Sequence, residues 1–207
     1  MRGVLFDAGG VLIRPVGGRW NPRRDFEGIV ARHHPSRSVS PEVIAAGQHF
    51  LDSSPRTASR DAYHRVMLAA MGIDDPSPDL LHELDTPAAG PFVELYPDVL
   101  PVLDELSARG IRMSVVSDTW AGMAATFDEL GLGHYFAGYA ISEVLGCRKP
   151  DPRMYAEGAR LIALEPHDCL FIDDDPDLVA AARALGYHGL TLDRPAMTLD
   201  ALLPLLA

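Results

Sequence analysis

The sequence predicts an α/β fold: a doubly wound parallel sheet with a small helical domain inserted after its first strand. Two observations carry this. From Pro97 onward short apolar runs alternate with helical stretches, the pattern of a parallel sheet covered on both faces. Between Val16 and Gly90 helical spacing recurs without a convincing alternating strand, and clusters of Pro and Gly bound that region. The expected division is residues 1–14 and 92–207 for the α/β core and 15–91 for the helical insert.

The first strand is Gly3 to Phe6, within RGVLFDAGGVLI, and Asp7 follows it at once. A strand that stops there aims a carboxylate into open space. Gly9 and Gly10 then let the backbone fold tightly around whatever Asp7 holds, before a second apolar run begins at Val11. This strand must join the later sheet, because alone it would leave both edges unpaired. Arg14 to Arg24, RPVGGRWNPRR, reads as a flexible connection. Asp25 is placed to cap a helix with Phe26, Ile29 and Val30 on one face. Pro41 to Leu51 and Arg60 to Met71 read as helices, the latter with Ser59 as cap and Tyr63, Val66, Met67 and Ala70 on one face; Asp79 to Leu84 is a short last one.

In the core, a helix carrying Val99, Leu100, Val102, Leu103 and Leu106 stops near Gly110, and the strand Ile111 to Val116 follows. A helix with Met123, Phe127 and Leu130 ends at Gly131, ahead of a strand near Tyr139 to Ile141. A loop holding Lys149 leads to a helix with Tyr155, Ala159 and Ile162, and the strand Cys169 to Ile172 runs into Asp173, Asp174 and Asp175. A helix with Leu178, Ala181, Ala182 and Leu185, the strand His188 to Leu192 and a leucine-rich helix close the chain.

A length of 207 residues allows one substantial core and a small companion. At 47% hydrophobic and 23% charged residues the composition is that of an ordinary globular protein. The net charge of -11 opposes accumulation on nucleic acid or on anionic membranes. Cys147 and Cys169 stand outside any CxxC or His spacing and read as reduced thiols. The amino-terminal apolar stretch is broken by Asp7 and the glycines, so neither a signal peptide nor a membrane span is expected. The expectation is a cytoplasmic monomer or homodimer with a small anionic partner, without nucleic acid or membrane.

Ligands of open α/β sheets sit outside the carboxyl ends of the strands. Four strand ends here carry polar groups: Asp7, Ser117 with Asp118, Lys149, and Asp173 to Asp175. Each alone has an ordinary explanation, as a helix cap or a solvated charge. Together they supply what a phosphate and metal site needs. Carboxylates from two strands suit a hard cation such as Mg2+, and a hydroxyl and an ammonium suit phosphate oxygens.

These motifs resemble those of the haloacid dehalogenase superfamily. LFDAGGVL is similar to its first motif, VVSDT to the second, GCRKPDPRMY to the third and LFIDDDPDLVAAARALG to the fourth. The insert resembles the helical cap of one branch, which closes over the site and selects the substrate. The resemblance implies an Mg2+-dependent phosphohydrolase with Asp7 as nucleophile and Lys149 as charge stabiliser. It implies phosphate binding by Ser117, with Asp118 and Lys149 beside it, and a metal held by Asp7, the Gly9 carbonyl, Asp173 and Asp174. Of the basic cluster Arg14, Arg19, Arg23 and Arg24, Arg19 is the expected anchor for an anionic substrate.

One departure stands out. The superfamily's phosphatases usually carry a second aspartate two residues after the nucleophile, as general acid and base, and this chain has Gly9 there. His33, His34 or Asp118 would have to replace it. The gap admits a metabolite-binding or regulatory protein with little turnover as a second reading, and a 2-haloacid dehalogenase as a third. DDDP in the fourth motif argues against the dehalogenase. A phosphonate-cleaving enzyme would need a cap lysine, and residues 14–91 contain none.

Overall fold

In the computed structural model, residues 1–54, 58–86, 88–194 and 196–206 are described. The chain runs β1 (Gly3–Phe6), β2 (Ile13–Pro15), α1 (Phe26–His33), α2 (Pro41–Ser53), α3 (Arg60–Ala70), α4 (Pro78–Asp85) and β3 (Val93–Leu95). It continues through α5 (Val99–Ala108), β4 (Arg112–Ser117), α6 (Met123–Glu129), β5 (Tyr139–Ile141), α7 (Ser142–Leu145) and α8 (Pro152–Leu161). Then come β6 (Cys169–Asp173), α9 (Pro176–Ala184) and β7 (His188–Thr191).

Five parallel strands form one sheet in the order β5-β4-β1-β6-β7. The first strand in sequence is therefore central in space. Its burial explains its composition: Val4, Leu5 and Phe6 are fully buried, as a strand covered on both faces requires. Phe6 pairs with Val115 on one side and Ile172 on the other, which sets Asp7 level with the carboxyl ends of β4 and β6. From β4 the chain moves outward to β5 and then returns to β6 beyond β1, and such a reversal opens a crevice at the strand ends.

Close packing of α8 holds β1 and β4 in place. Gly158 lets it approach, since a Cβ there would stand 2.4 Å from Val116 and 2.9 Å from Leu5. The buried Ser114 hydroxyl donates to the Gly158 carbonyl at 2.8 Å.

The described chain divides into two units, Met1–Arg14 with Glu94–Ala207, and Pro15–Val93. β2 and β3 form a separate two-stranded sheet where the chain passes between them, so Arg14 and Pro15 lie in a strand and not in a flexible connection. The second unit is helical, with a core of Phe26, Ile29, Val30, Val43, Tyr63, Met67, Leu68, Leu80 and Leu84.

Four local expectations need correction. The Asp25 carboxylate does not cap α1; it is drawn off by the Arg23 guanidinium at 2.5 and 2.8 Å. Ser59 does cap α3, accepting from the Ala62 amide, but the buried face is Tyr63, His64, Met67 and Leu68, while Val66 is half-buried and Ala70 exposed. The short helix α7 between β5 and the Lys149 loop was not anticipated. The closing leucine-rich segment, Leu199–Leu206, is a 3-10 helix, with Pro204 inside it lacking the amide an α-helix needs.

Candidate active site

Asp7, Ser117, Lys149 and Asp173 are all buried at the carboxyl edge of the sheet. Sequence dictates this arrangement strand by strand. β1 and β6 are apolar runs that end in aspartate, β4 ends in Ser117, and the loop after α7 brings Lys149 inward.

Lys149 is the hub. Its Nζ donates to Asp7 Oδ1 at 2.6 Å and to Asp173 Oδ2 at 2.7 Å, and its side chain is only 3% exposed. Its backbone amide donates to Asp118 Oδ1 at 3.1 Å, so Asp118 fixes the lysine loop from the end of β4. Arg148 Nε lies 3.9 Å from the other Asp118 oxygen. Asp173 Oδ1 accepts the Asp175 amide at 2.9 Å, and Asp175 caps α9 by accepting from Asp177 at 2.8 Å. The acidic triplet is thus divided: Asp175 serves the helix, while Asp173 and Asp174 remain with the site.

Asp7, Asp173 and Asp174 each offer an oxygen within 4.8 Å of the others. Gly10 makes this possible. It has φ +73°, and a Cβ there would stand 2.0 Å from Asp174 Oδ2, so only glycine lets the loop after Asp7 pass that carboxylate. Gly9 bridges to Ile13 in the same loop.

The electrostatics follow from crowding. Burial pushes Asp7 up to about 7, with the Lys149 ammonium pulling down and Asp173 pushing further up. Asp174 stands at the exposed rim, yet the desolvation around its carboxyl and repulsion from Asp173 raise it to about 6. Burial also raises Asp118, against the pull of Lys149. Burial opposes the charge on Lys149, but Asp7, Asp173 and Asp118 outweigh it and hold the ammonium protonated well above its ordinary range. One ammonium among three close carboxylates leaves the group short of positive charge. An all-oxygen set with that deficit fits a hard divalent cation such as Mg2+.

A family model for haloacid dehalogenase-like hydrolases matches residues 1–186. The chain belongs to this family. A glyceraldehyde 3-phosphate phosphatase of Methanopyrus kandleri is 33% identical over 130 residues, 58% of this chain and 53% of that protein. The chain thus spans about half the length of the curated relatives it matches. Among solved structures, a HAD phosphatase from Thermococcus onnurineus aligns with TM-score 0.62 and 19% identity, over 100% of this chain and 98% of that one. The L-2-haloacid dehalogenase of Xanthobacter autotrophicus aligns with TM-score 0.67 and 18% identity, over 100% and 83%. At such identities both establish the shared hydrolase fold, and no more.

Arg19 belongs to the helical unit, where Nη2 binds Glu27 at 2.6 and 2.7 Å and Nε donates to the Pro22 carbonyl at 3.2 Å. Its neighbours in the basic cluster are engaged as well. Arg14 pairs with Glu94, Arg23 with Asp25 and the Leu84 carbonyl, and Arg24 with the Ala89 carbonyl. His33 is bonded to Glu83 at 2.9 Å. Charge counting in sequence sees the arginines without the acceptors that folding brings to them.

Arg194 was missed. It lies just past β7, bound to Asp98 and to the Val11 carbonyl. The strand-end rule, carried to the fifth strand and its continuation LDR, would have found it.

Two buried cysteines, Cys147 and Cys169, are free thiols. Among the described residues no helix is long and apolar enough to cross a membrane.

Proposed function

We propose that this chain is an Mg2+-dependent phosphohydrolase that transfers the phosphoryl group of a small metabolite to Asp7 and then to water. The observation that carries it is the Lys149 ammonium fixed between Asp7 and Asp173, with Asp174 offering an oxygen within 4.8 Å of those two carboxylates. Phosphatases among the relatives support the same direction.

In this reading Asp7 attacks phosphorus, the phosphorus–oxygen bond to the substrate breaks, and that oxygen leaves with the electron pair. Water then attacks the aspartyl-phosphate and returns the carboxylate. Lys149 offsets repulsion between an anionic nucleophile and an anionic substrate. The Ser117 hydroxyl binds a phosphoryl oxygen, and Asp118 holds the loop that aims Lys149. Mg2+ on Asp7, the Gly9 carbonyl, Asp173 and Asp174 would supply Lewis-acid neutralisation of the transferring group. The helical unit serves as the cap that selects substrate, with Arg19 organised by Glu27. Release of phosphate across a panel of phosphorylated metabolites, abolished by EDTA and by Asp7→Asn, is the expected result. No phosphoryl transfer from any of them with Mg2+ present would reject the reading.

Gly9 favours a second reading, a phosphometabolite-binding protein with weak turnover. The missing acid and base is worth about 10² to 10⁴ in rate. Without it, aryl and acyl phosphates should outpace alkyl phosphates, whose leaving oxygen needs a proton. Gly9→Asp is expected to raise the rate on alkyl phosphates by at least about tenfold. Rapid wild-type turnover of alkyl phosphates would eliminate the binding-only reading.

A further inference from the structure

We infer that Arg194 is a positioning residue that fixes the loop following Asp7, holding it at the Val11 carbonyl while Asp174 abuts it at Gly10. The clamp is visible in the contacts alone; its effect on turnover rests on the phosphohydrolase reading.

Arg194 lies at the same sheet edge as Asp7. Two residues earlier, the Leu192 amide donates to the Asp173 carbonyl at 2.9 Å, so the segment is anchored to the strand that carries a site carboxylate. From there the guanidinium makes three kinds of contact. Nη1 donates to both Asp98 oxygens at 2.8 and 2.7 Å, Nη2 donates to the Val11 carbonyl at 2.7 Å, and the plane lies 4.0 Å from the Tyr96 ring centre. Its side chain is 8% exposed. Asp98 also accepts the Leu199 amide at 2.7 Å, and the Tyr96 amide donates to the Leu12 carbonyl at 3.1 Å.

The loop is closed upon itself. The Leu12 and Ile13 amides both donate to the Ala8 carbonyl at 2.9 Å, and the Gly10 amide donates to the Ile13 carbonyl at 3.0 Å. Its two next carbonyls, Val11 and Leu12, are taken by Arg194 and Tyr96. In the same loop Gly10 lies against Asp174 without room for a Cβ. The turn that carries Gly9 is thus gripped between a site carboxylate and a buried guanidinium. Shifting it would move Gly9 and Asp7 relative to Asp173 and Asp174.

Only arginine fits this role. The fork must satisfy a carboxylate and a carbonyl in different directions while its face stacks on a ring. A lysine at the position would keep the charge beside Asp98 and lose the directed bond to Val11.

Arg194→Lys and Arg194→Met test this, with Arg109→Gln as a matched control. Arg109 also pins a backbone carbonyl, that of Leu203, but at the opposite end of α5 from Asp98, and it pairs with Glu105 on that helix. The readouts are amide hydrogen exchange of residues 10–13, Mg2+ affinity by calorimetry, and steady-state kinetics well below the melting temperature. Both Arg194 variants should exchange those amides at least about tenfold faster, with weaker Mg2+ binding and a kcat lowered about tenfold at nearly constant KM. Arg109→Gln should change none of these. Loop exchange within about twofold of wild type in folded Arg194→Lys overturns the inference, whatever the activity. A lower melting temperature with unchanged loop exchange and kcat would likewise reduce Arg194 to scaffold. If the wild type releases no phosphate, the phosphohydrolase reading fails and the exchange result alone decides the clamp. If Arg194→Met does not fold, Arg194→Lys decides it.

Discussion

Charged residues do opposite things in the two units. In the helical unit Arg19, Arg23 and Arg24 each find acceptors nearby, and their charge is spent on holding the scaffold together. Arg19 binds Glu27, and Arg23 spans from Asp25 to the carboxyl end of α4. At the edge of the parallel sheet, Asp7 and Asp173 share one ammonium with Asp174 beside them, and the three carboxylates stay short of positive charge. The first cluster is satisfied within the chain, and the second leaves negative charge that a cation would stabilise. The difference is invisible to composition, since both regions are simply rich in charge.

The comparison can be broken most strongly at Asp7. Asp7→Asn is expected to reduce turnover at least about 10⁴-fold while leaving the fold intact, because it removes a nucleophile and relieves repulsion. Phosphate release on an aryl phosphate, beside a urea melt, measures both. Lys149→Met should act the other way on stability. It strands buried carboxylates without their only ammonium and should cost about 3–5 kcal/mol in the urea melt without metal. A Lys149→Met protein as stable as wild type would show that the site is not electrostatically tense.

In the helical unit the same kind of change should matter less. Arg23→Met removes a mostly buried guanidinium from the end of α4 and should cost about 1–3 kcal/mol. Arg19→Gln breaks a solvent-exposed pair and should cost about 0–1 kcal/mol. A larger loss of activity than of stability in Arg19→Gln would return that residue to substrate binding.

Acidification should separate the two units. Burial lowers the His64 pKa, with Asp85 opposing. The stability from keeping that ring neutral is complete above its unfolded value near 6.5 and is lost as pH falls through the depressed native value. Asp7 and Asp174 are raised to about 7 and about 6, so the native state gains protons there first. Their contribution is greatest below the unfolded carboxylate range and is lost as pH rises through those values, unless a divalent cation takes the proton's place. Between pH 7.5 and 5.5, amide protection corrected for the intrinsic exchange rate at each pH should therefore fall in α3 and rise in β1 and β6, and His64→Phe should flatten the α3 response. Protection that moves in the same direction in both units would refute the contrast.

Much of this architecture was legible in the chain. Strand ends followed by Asp7, Ser117 and Asp173 could be read because a buried parallel strand must be apolar and its carboxyl end must not be. Ser59 could be read as a cap because its partner is three residues away. What failed depended on side-chain partners that the local pattern does not mark. Asp25 looked like a cap until Arg23 claimed it, and the buried face of α3 turned toward His64 because the Phe26 ring stacks on it. The partners of the basic cluster, Glu27, Glu94 and the carbonyls of Leu84 and Ala89, could not be read because nothing in the sequence marks them as its acceptors. Arg194 escaped notice because its meaning lies in Val11, at the far end of the chain.

The central claim is phosphoryl transfer to Asp7. Rapid quenching of the enzyme with an aryl phosphate and Mg2+, followed by intact-mass and peptide analysis, tests it directly. The account predicts a transient adduct of one phosphoryl group on Asp7, absent in Asp7→Asn and absent after EDTA. Phosphate release without any such adduct, or an adduct on another residue, would contradict it.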